Sequence, residues 1–152
     1  MEEKYILSVL GKQYVDGQSD KVELKTMAAY VQKNGSRYIT YKEYDAQNPD
    51  RHYRTTVKVD SNNIVTVIKG GEEHHNLVLE KGKRHKCEYI TNFGSILLGV
   101  YTDNVKINLG DNGGEVEVRY SIDIQSQLAS TNELFLKIEE ADSNVNSNTN
   151  NQ

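Results

Sequence analysis

The chain has few of the residues that cross-link a fold or interrupt its strands. It has one cysteine (Cys87), one proline (Pro49), two phenylalanines and no tryptophan in 152 residues. A single cysteine excludes an internal disulfide, and a leftover thiol is typical of a reducing compartment. No run of about 18 apolar residues occurs, and the acidic start "MEEKYILSVL" does not have the pattern of a signal peptide. We therefore expect a cytoplasmic protein.

Positive charge is also scarce. Eighteen Lys and Arg residues face 22 Asp and Glu residues, which gives a formal net charge of -4. Nucleic-acid-binding domains usually present a basic face, and anionic membranes attract basic segments. We therefore expect neither a nucleic acid nor a membrane as a partner. The one basic cluster is "EKGKRHK" at residues 80–86. We interpret it as a solvated strand edge, with a phosphate-binding site as the alternative.

Apolar and polar residues alternate with a period of two along almost the whole chain. In "KVELKTMAAY" (residues 21–30) alternate residues from Val22 to Tyr30 share one, mostly apolar face, and the Asn-Gly of "NGS" (residues 34–36) is the dipeptide of a type I′ hairpin turn. Similar runs follow one another, separated by Gly, Asn and Asp, and the ten tyrosines suit a half-buried sheet. This pattern predicts an all-β fold, an up-and-down antiparallel meander of about ten strands that closes into a single β-barrel.

The same pattern gives the boundaries. The barrel domain is predicted over residues 1–141. Residues 142–152, "DSNVNSNTNNQ", have almost nothing to bury and are predicted to be a disordered polar tail. We also expect "DN" at Asp103 and Asn104 to turn the chain between two strands.

The most apolar segment is "YITNFGSILLGVYTD", residues 89–103, which contains two glycines. Gly94 follows a tight turn, whereas Gly99 lies inside a strand. A glycine inside a strand marks a bulge, a bend or the close approach of another group. We interpret the segment as a curved core strand, with the wall of a ligand cavity as the alternative.

This region carries a resemblance to a known family. "YITNFGSILLGVYTDNVKINL", "GGEVEVRYSIDI" and "STNELFLKIEE" resemble the YwiB-like family of uncharacterised bacterial proteins. The matching positions are Tyr89, Thr91, Gly94, Thr102, Gly114, Tyr120 and Asn132. Upstream, "YITYKEYD" matches through Tyr38, Tyr41 and Glu43, and Lys69 stands where the family has an arginine. The resemblance implies that this barrel is a single antiparallel calycin- or lipocalin-like β-barrel, and it implies no established activity. Barrels of this kind often hold small apolar ligands.

A candidate binding site follows from "YITYKEY". Ile39, Tyr41 and Glu43 share one face of a strand, so an inward Ile39 places the Glu43 carboxylate near a barrel mouth. A carboxylate there needs a cation, which Arg54, Lys69 or Arg119 could supply. A structural ion pair is the alternative to a site. The candidate ligand-binding residues are Tyr41, Glu43, Arg54, Lys69, Tyr89, Arg119 and Tyr120.

Signals of catalysis and metal binding are weak. The chain has no G-x-S-x-G elbow, and the glycines of "GDNGG" lie between two strands. His85 and Cys87 lie side by side on one strand and could offer two zinc ligands, with His74 or His75 as a third. No CxxC or HExxH spacing supports this, so we expect no catalytic residues, no metal and no cofactor.

Three functions remain in view. The first is a non-enzymatic protein that binds a small apolar or amphipathic molecule inside the barrel. The second is a structural or protein-interaction barrel with a filled core, for which a homodimer is one option. The third is an enzyme, which the mostly apolar or Tyr inward faces disfavour.

Overall fold

The protein is described by a computed structural model covering residues 2–44, 47–71 and 74–141. Within these residues the chain forms ten strands. They are β1 Tyr5–Val15, β2 Gln18–Lys33, β3 Ser36–Tyr44, β4 His52–Val59, β5 Val65–Lys69, β6 His75–Leu79, β7 Arg84–Thr91, β8 Gly94–Gly110, β9 Gly113–Ile124 and β10 Gln127–Glu140. The polar tail predicted for residues 142–152 lies outside the described residues.

All ten strands belong to one antiparallel sheet. Its order is β6-β5-β4-β3-β2-β1-β10-β9-β8-β7, so every strand pairs with its neighbour in the chain except β6 with β7, and β1 also pairs with β10. The sheet curls into a nearly closed barrel, which confirms the predicted all-β antiparallel barrel of about ten strands. In the described part of the chain, no helix is long and apolar enough to cross a membrane.

The barrel closes where β6 meets β7. Here the strands share an isolated bridge, in which His74 and Ile90 exchange two backbone hydrogen bonds of 3.1 Å. Beyond the other end of β6, the N–H of Gly82 donates to the carbonyl of Thr102 at 2.8 Å. We call the meeting of β6 and β7 the seam.

The tight turns follow the sequence pattern. Asn34 and Gly35, predicted as a hairpin turn, have φ values of 54° and 81° and join β2 to β3. Positive φ at both central residues is the conformation of a type I′ turn, and it matches the twist of the flanking strands. The same conformation joins β9 to β10, through Gln125 and Ser126 with φ values of 53° and 66°.

One predicted turn is wrong. Asp103 and Asn104 lie inside β8, a single strand of 17 residues. The pairing of β8 with β9 shifts register between Thr102 and Asn104, which is a β-bulge. The extra residue lets both Thr102 and Val105 point into the barrel although they are three residues apart. Turn and bulge favour similar residues, so composition could not separate them.

Alternate residues of all ten strands form the core. Its members include Leu7, Ile39, Val57, Val65, Leu79, Val100, Val116, Val118 and Ile138, all 5% exposed or less. Burying apolar area is the main force that holds such a fold together. The end of the β1–β2 hairpin extends beyond this core, since residues 13–23 are exposed on both faces.

Gly99 has a specific role in the barrel wall. The Arg84 side chain lies across this position, and a Cβ at Gly99 would overlap the guanidinium group. Arg84 thereby reaches Asp123 on β9, with two hydrogen bonds of 3.0 and 2.7 Å. Of the three readings of a strand glycine, close approach by another group is the one the structure shows. Val100 beside it is fully buried, which supports the core-strand interpretation of this segment.

Candidate functional site

Four neighbouring strands place polar side chains on the inner face of the barrel. Tyr41 on β3 is in register with Thr55 on β4, Thr55 with Lys69 on β5, and Lys69 with His75 on β6. Successive side chains of a strand alternate between faces, so each of these residues points the same way as the buried Val57, Val67 or Leu77 beyond it. Together with Glu43 and Tyr89, these residues are called the polar cluster.

A chain of hydrogen bonds runs through the cluster. The Thr55 hydroxyl donates to Glu43 Oε2 at 2.5 Å, and Thr55 also hydrogen-bonds the hydroxyl of Tyr41. Burial, with the nearby Glu43 carboxylate, raises the pKa of Tyr41 well above its usual range. Tyr41 therefore stays a neutral donor at any physiological pH.

Lys69 is the cation that pairs with the Glu43 carboxylate. Its Nζ lies 3.6 Å from Glu43 Oε2. The side chains of Lys69 and Glu43 are 34% and 20% exposed, so the pair is half-buried and reachable from solvent. The pair offers both signs of charge at one point of the inner wall, and Lys69 is the more exposed of the two side chains.

His75 completes this wall at the seam. Its ring stacks on the ring of Tyr89 from β7, with centroids 4.8 Å apart and planes 28° apart. Burial lowers the pKa of His75, the Lys69 charge lowers it further, and Glu43 opposes them. Among the described residues, His75 Nδ1 is buried and has no hydrogen-bond partner. A neutral imidazole with a free Nδ1 can donate or accept, depending on its tautomer.

The opposite wall is polar as well. Thr102, Tyr120 and Asn132 lie in one register row of β8, β9 and β10. Thr102 and Asn132 are buried, and Asn132 Nδ2 donates to Ser130 Oγ at 3.0 Å. Burial raises the pKa of Tyr120. Thr102 Oγ1, like His75 Nδ1, is buried without a partner in the described chain. Both of these atoms belong to residues of the inner wall.

Two predicted site residues lie elsewhere. Arg54 is exposed and pairs in register with Lys42 on the outer face. Arg119 is also outside, where its Nη2 lies 3.3 Å from Glu133 Oε1. Neither supplies the cation for Glu43, so that part of the hypothesis is corrected. Each arginine alternates with buried residues, Thr55 beside Arg54 and Val118 beside Arg119, and a strict period of two already indicates the outside.

Other members were missed by the sequence analysis. Thr55 shares the inner face of "HYRTTVKV" with Val57 and Val59, so the alternation contained a signal for it. His75 shares a face with Leu77 and Leu79 in the strand "HNLVL", but Val78 on the other face is apolar too, so the alternation indicated its direction only weakly. Its pairing with Lys69 on β5 shows that it points inward.

The residues considered as zinc ligands make other contacts in the structure. His85 Nε2 lies 2.9 Å from Glu80 Oε1. Burial raises the pKa of the Cys87 thiol, and a backbone hydrogen bond from Asn76 opposes this. In residues 2–44, 47–71 and 74–141, no three His, Cys, Asp or Glu side chains come together as metal ligands would.

Comparison with known proteins places the chain in a family. A family model described as a domain of unknown function (DUF1934) matches residues 7–136. The chain belongs to the DUF1934 family. The crystal structure of the ywiB protein from Bacillus subtilis resembles it, with a TM-score of 0.78, 21% sequence identity and 90% of each chain covered. The YwiB-like resemblance drawn from the sequence is therefore confirmed. Comparison with curated proteins gave no match.

These matches concern the fold. At 21% identity the likeness to the ywiB protein shows the fold alone and assigns no activity to the chain. The chemistry of the chain depends on its own side chains, of which the two polar walls of the barrel carry the most distinctive.

Proposed function

We propose that this DUF1934 protein is a non-enzymatic, cytoplasmic protein that binds a small amphipathic molecule at the polar cluster. The polar head of the ligand contacts Lys69 and His75. Its apolar part lies against the Val and Leu side chains of the inner wall. Such a mixture, a mostly apolar lining with a few convergent polar groups, is the usual composition of a small-molecule site.

The observation that carries this proposal is the free Nδ1 of His75. A buried polar atom without a partner costs roughly 1–3 kcal/mol, so native proteins rarely leave one unsatisfied. Here the unsatisfied atom adjoins Lys69, which contacts Glu43 only at 3.6 Å. A ligand oxygen that accepts from Lys69 and meets His75 Nδ1 satisfies both groups at once.

The charges in the cluster limit the ligand. Glu43 and Lys69 cancel, and the lowered pKa of His75 favours its neutral form. A highly charged anion would face the Glu43 carboxylate, whereas a neutral or singly charged head group would not meet net repulsion. Tyr41 and Thr55 add neutral hydroxyl groups beside it. We therefore expect hydroxyl, amide or carboxyl head groups rather than phosphates.

Native mass spectrometry of protein purified from its own host tests the proposal. We expect an adduct of small-molecule mass that disappears on denaturation. The double variant Lys69→Met/His75→Phe should lose the adduct, whereas Arg54→Met, which removes a cation from the outer face, should keep it. A clean wild-type mass, with no rise in melting temperature on adding amphipathic small molecules, contradicts the proposal.

The alternative is a barrel with a filled core that acts through its outer surface. It is favoured by the close set of buried side chains from all ten strands. The two functions differ in what mutation of the polar cluster does. In a filled barrel, Lys69→Met/His75→Phe changes stability and removes no adduct.

A further inference from the structure

One end of the barrel is closed by hydrogen bonds that cross it. The Tyr30 hydroxyl, near the end of β2, donates to the carbonyl of Gly110 at the end of β8, at 2.7 Å. Arg37 on β3 donates to the same carbonyl from Nη1 at 2.9 Å. Lys69 ends β5 and His75 begins β6 at the opposite end of the barrel, which we call the open end. A ligand therefore reaches the polar cluster from the open end.

Beside the polar cluster, the inner face at the open end becomes apolar on β8. Tyr89, whose ring stacks on His75, is in register with Ile96, and residues paired across neighbouring strands point to the same face. Ile96 is nevertheless 46% exposed. Leu98, two residues further along this face, is half-buried against the core and in register with the buried Cys87. The polar cluster thus continues directly into apolar side chains.

The neighbouring strand β9 adds a second exposed isoleucine. Ile122 is in register with the fully buried Val100 on β8, so it faces the interior. Ile124 lies two residues beyond Ile122 on the same face, and it is 40% exposed. We call Leu98, Ile96 and Ile124 the apolar strip.

The apolar strip and the polar cluster are placed to contact one molecule. Side chains that face the interior of a barrel are normally buried, and the two isoleucines of the strip lack that burial. The strip begins at Tyr89, where the polar cluster ends. A molecule with its polar head at Lys69 and its apolar part on the strip buries both isoleucines. Such burial contributes to affinity in proportion to the apolar area removed from water.

The dimensions of the strip suit a single chain. Two strand spacings of about 4.8 Å separate β6 from β8, so along the wall Ile96 lies about 10 Å from His75. Ile124 on β9 is one spacing further, at about 14 Å. An extended chain advances about 1.2 Å per bond, so about eight bonds reach Ile96 and about twelve reach Ile124. The strip ends there, because the polar Gln125 follows.

We propose that Ile96 and Ile124 are specificity-determining residues, which select a ligand with one unbranched apolar chain. The chain runs from the polar cluster along the apolar strip. The polar head of the same ligand contacts Lys69 and His75, so this inference rests on the proposed function.

Isothermal titration calorimetry with straight-chain probes tests this selection. The probes are butanoic, hexanoic, octanoic, decanoic and dodecanoic acid, together with the amides and the alcohols of the same lengths. We expect at least one of these head groups to bind. Its dissociation constant should fall about threefold for each methylene added beyond hexanoic length, because each methylene leaves water for the apolar strip. A chain of butanoic length ends before Ile96 and should bind most weakly.

Three variants separate the strip from the polar cluster. Ile96→Ser/Ile124→Ser should weaken the binding of the dodecyl probe by about tenfold and leave that of the butyl probe unchanged. Leu97→Ser is the matched control, because Leu97 is 59% exposed on the outer face of the same strand, and it should bind as the wild type does. Lys69→Met/His75→Phe removes the head-group contacts and should weaken every chain length by the same factor.

Methyl NMR of isoleucine-labelled protein locates the chain directly. The Cδ1 methyl signals of Ile96 and Ile124 should shift with the dodecyl probe and stay in place with the butyl probe. Ile138, which is 2% exposed near the closed end, should not shift with either probe.

The outcomes distinguish this inference from the proposed function. If the wild type binds probes with an affinity that does not depend on chain length, or if Ile96→Ser/Ile124→Ser binds as the wild type does, only the inference fails. If no probe binds the wild type, the inference also fails, and native mass spectrometry of protein from its own host decides the proposed function separately. Methyl shifts confined to isoleucines outside the strip overturn the inference as well.

Discussion

At the scale of single residues, His75 brings an ionisable ring to the polar part of the inner wall. Its ring, which belongs to the polar cluster, stacks on the ring of Tyr89 across the seam. The surroundings lower its pKa, first through burial, then through Lys69 and His74, against the opposing Glu43. The folded protein thus keeps a neutral imidazole where the unfolded chain would accept a proton.

This difference predicts a pH dependence. As the pH falls below about 6.5, the unfolded chain protonates His75 before the folded protein does. The stability that a neutral His75 provides is complete above that pH and is lost as the pH falls toward the lowered folded pKa. His75→Phe keeps an aromatic ring against Tyr89 and removes the proton. Urea unfolding should show the free energy of unfolding of the wild type falling more steeply than that of the variant between about pH 6.5 and 5.

The same titration contains its own control. Between about pH 7.5 and 8.5 the wild type and His75→Phe should differ by a constant amount, since both rings are then neutral. Curves that run parallel down to pH 5 would show that the folded and unfolded chains bind this proton equally.

At the scale of elements, turn chemistry decides how well each hairpin is specified. Asn34-Gly35 uses the residues that most easily adopt positive φ, whereas Gln125-Ser126 adopts the same conformation without them. Side chains with a Cβ are strained in this region. The β9–β10 hairpin therefore forms because long strands pair on both sides of it, not because the turn favours it.

Replacing this turn should stabilise the protein. Gln125→Asn/Ser126→Gly is expected to raise the free energy of unfolding by about 1 kcal/mol. The hydrogen bond from the Ser126 backbone to Asp123 is available to glycine as well. The reverse exchange, Asn34→Gln/Gly35→Ser, is the matched control and should destabilise by a similar amount. Thermal and urea unfolding measure both, and a pair of changes with the same sign would refute this account.

At the scale of the whole molecule, the seam is where the barrel is least continuous. The five-residue β6 pairs with β5 along one edge, and its other edge meets β7 through the isolated bridge at His74 and Ile90. By contrast, β10 is paired along both edges, with β1 and with β9. Local opening costs least where few hydrogen bonds must break.

Hydrogen exchange should show this contrast. Under native conditions we expect the peptide covering residues 75–79 to exchange at least about tenfold faster than the peptide covering residues 134–138. Both segments are five residues long, alternate in burial and belong to strands, so length and burial are matched. Equal protection in the two peptides would mean that β6 and β7 open only when the whole barrel unfolds.

The sequence by itself determined the local structure and the inner face of several strands. The period of two predicted the all-β fold, Asn34-Gly35 predicted its turn, and the alternation of Ile39, Tyr41 and Glu43 predicted an inward carboxylate. Each of these depends on backbone geometry within a few residues, which short-range sequence encodes.

Only the tertiary structure decided which residues meet. It selected Lys69 rather than Arg54 or Arg119 as the partner of Glu43, and it brought His75 against Tyr89 across the seam. It also made Asp103 a bulge instead of a turn. These outcomes depend on the register between strands and on barrel closure, which are set by contacts between residues distant in the chain. No local pattern contains that information.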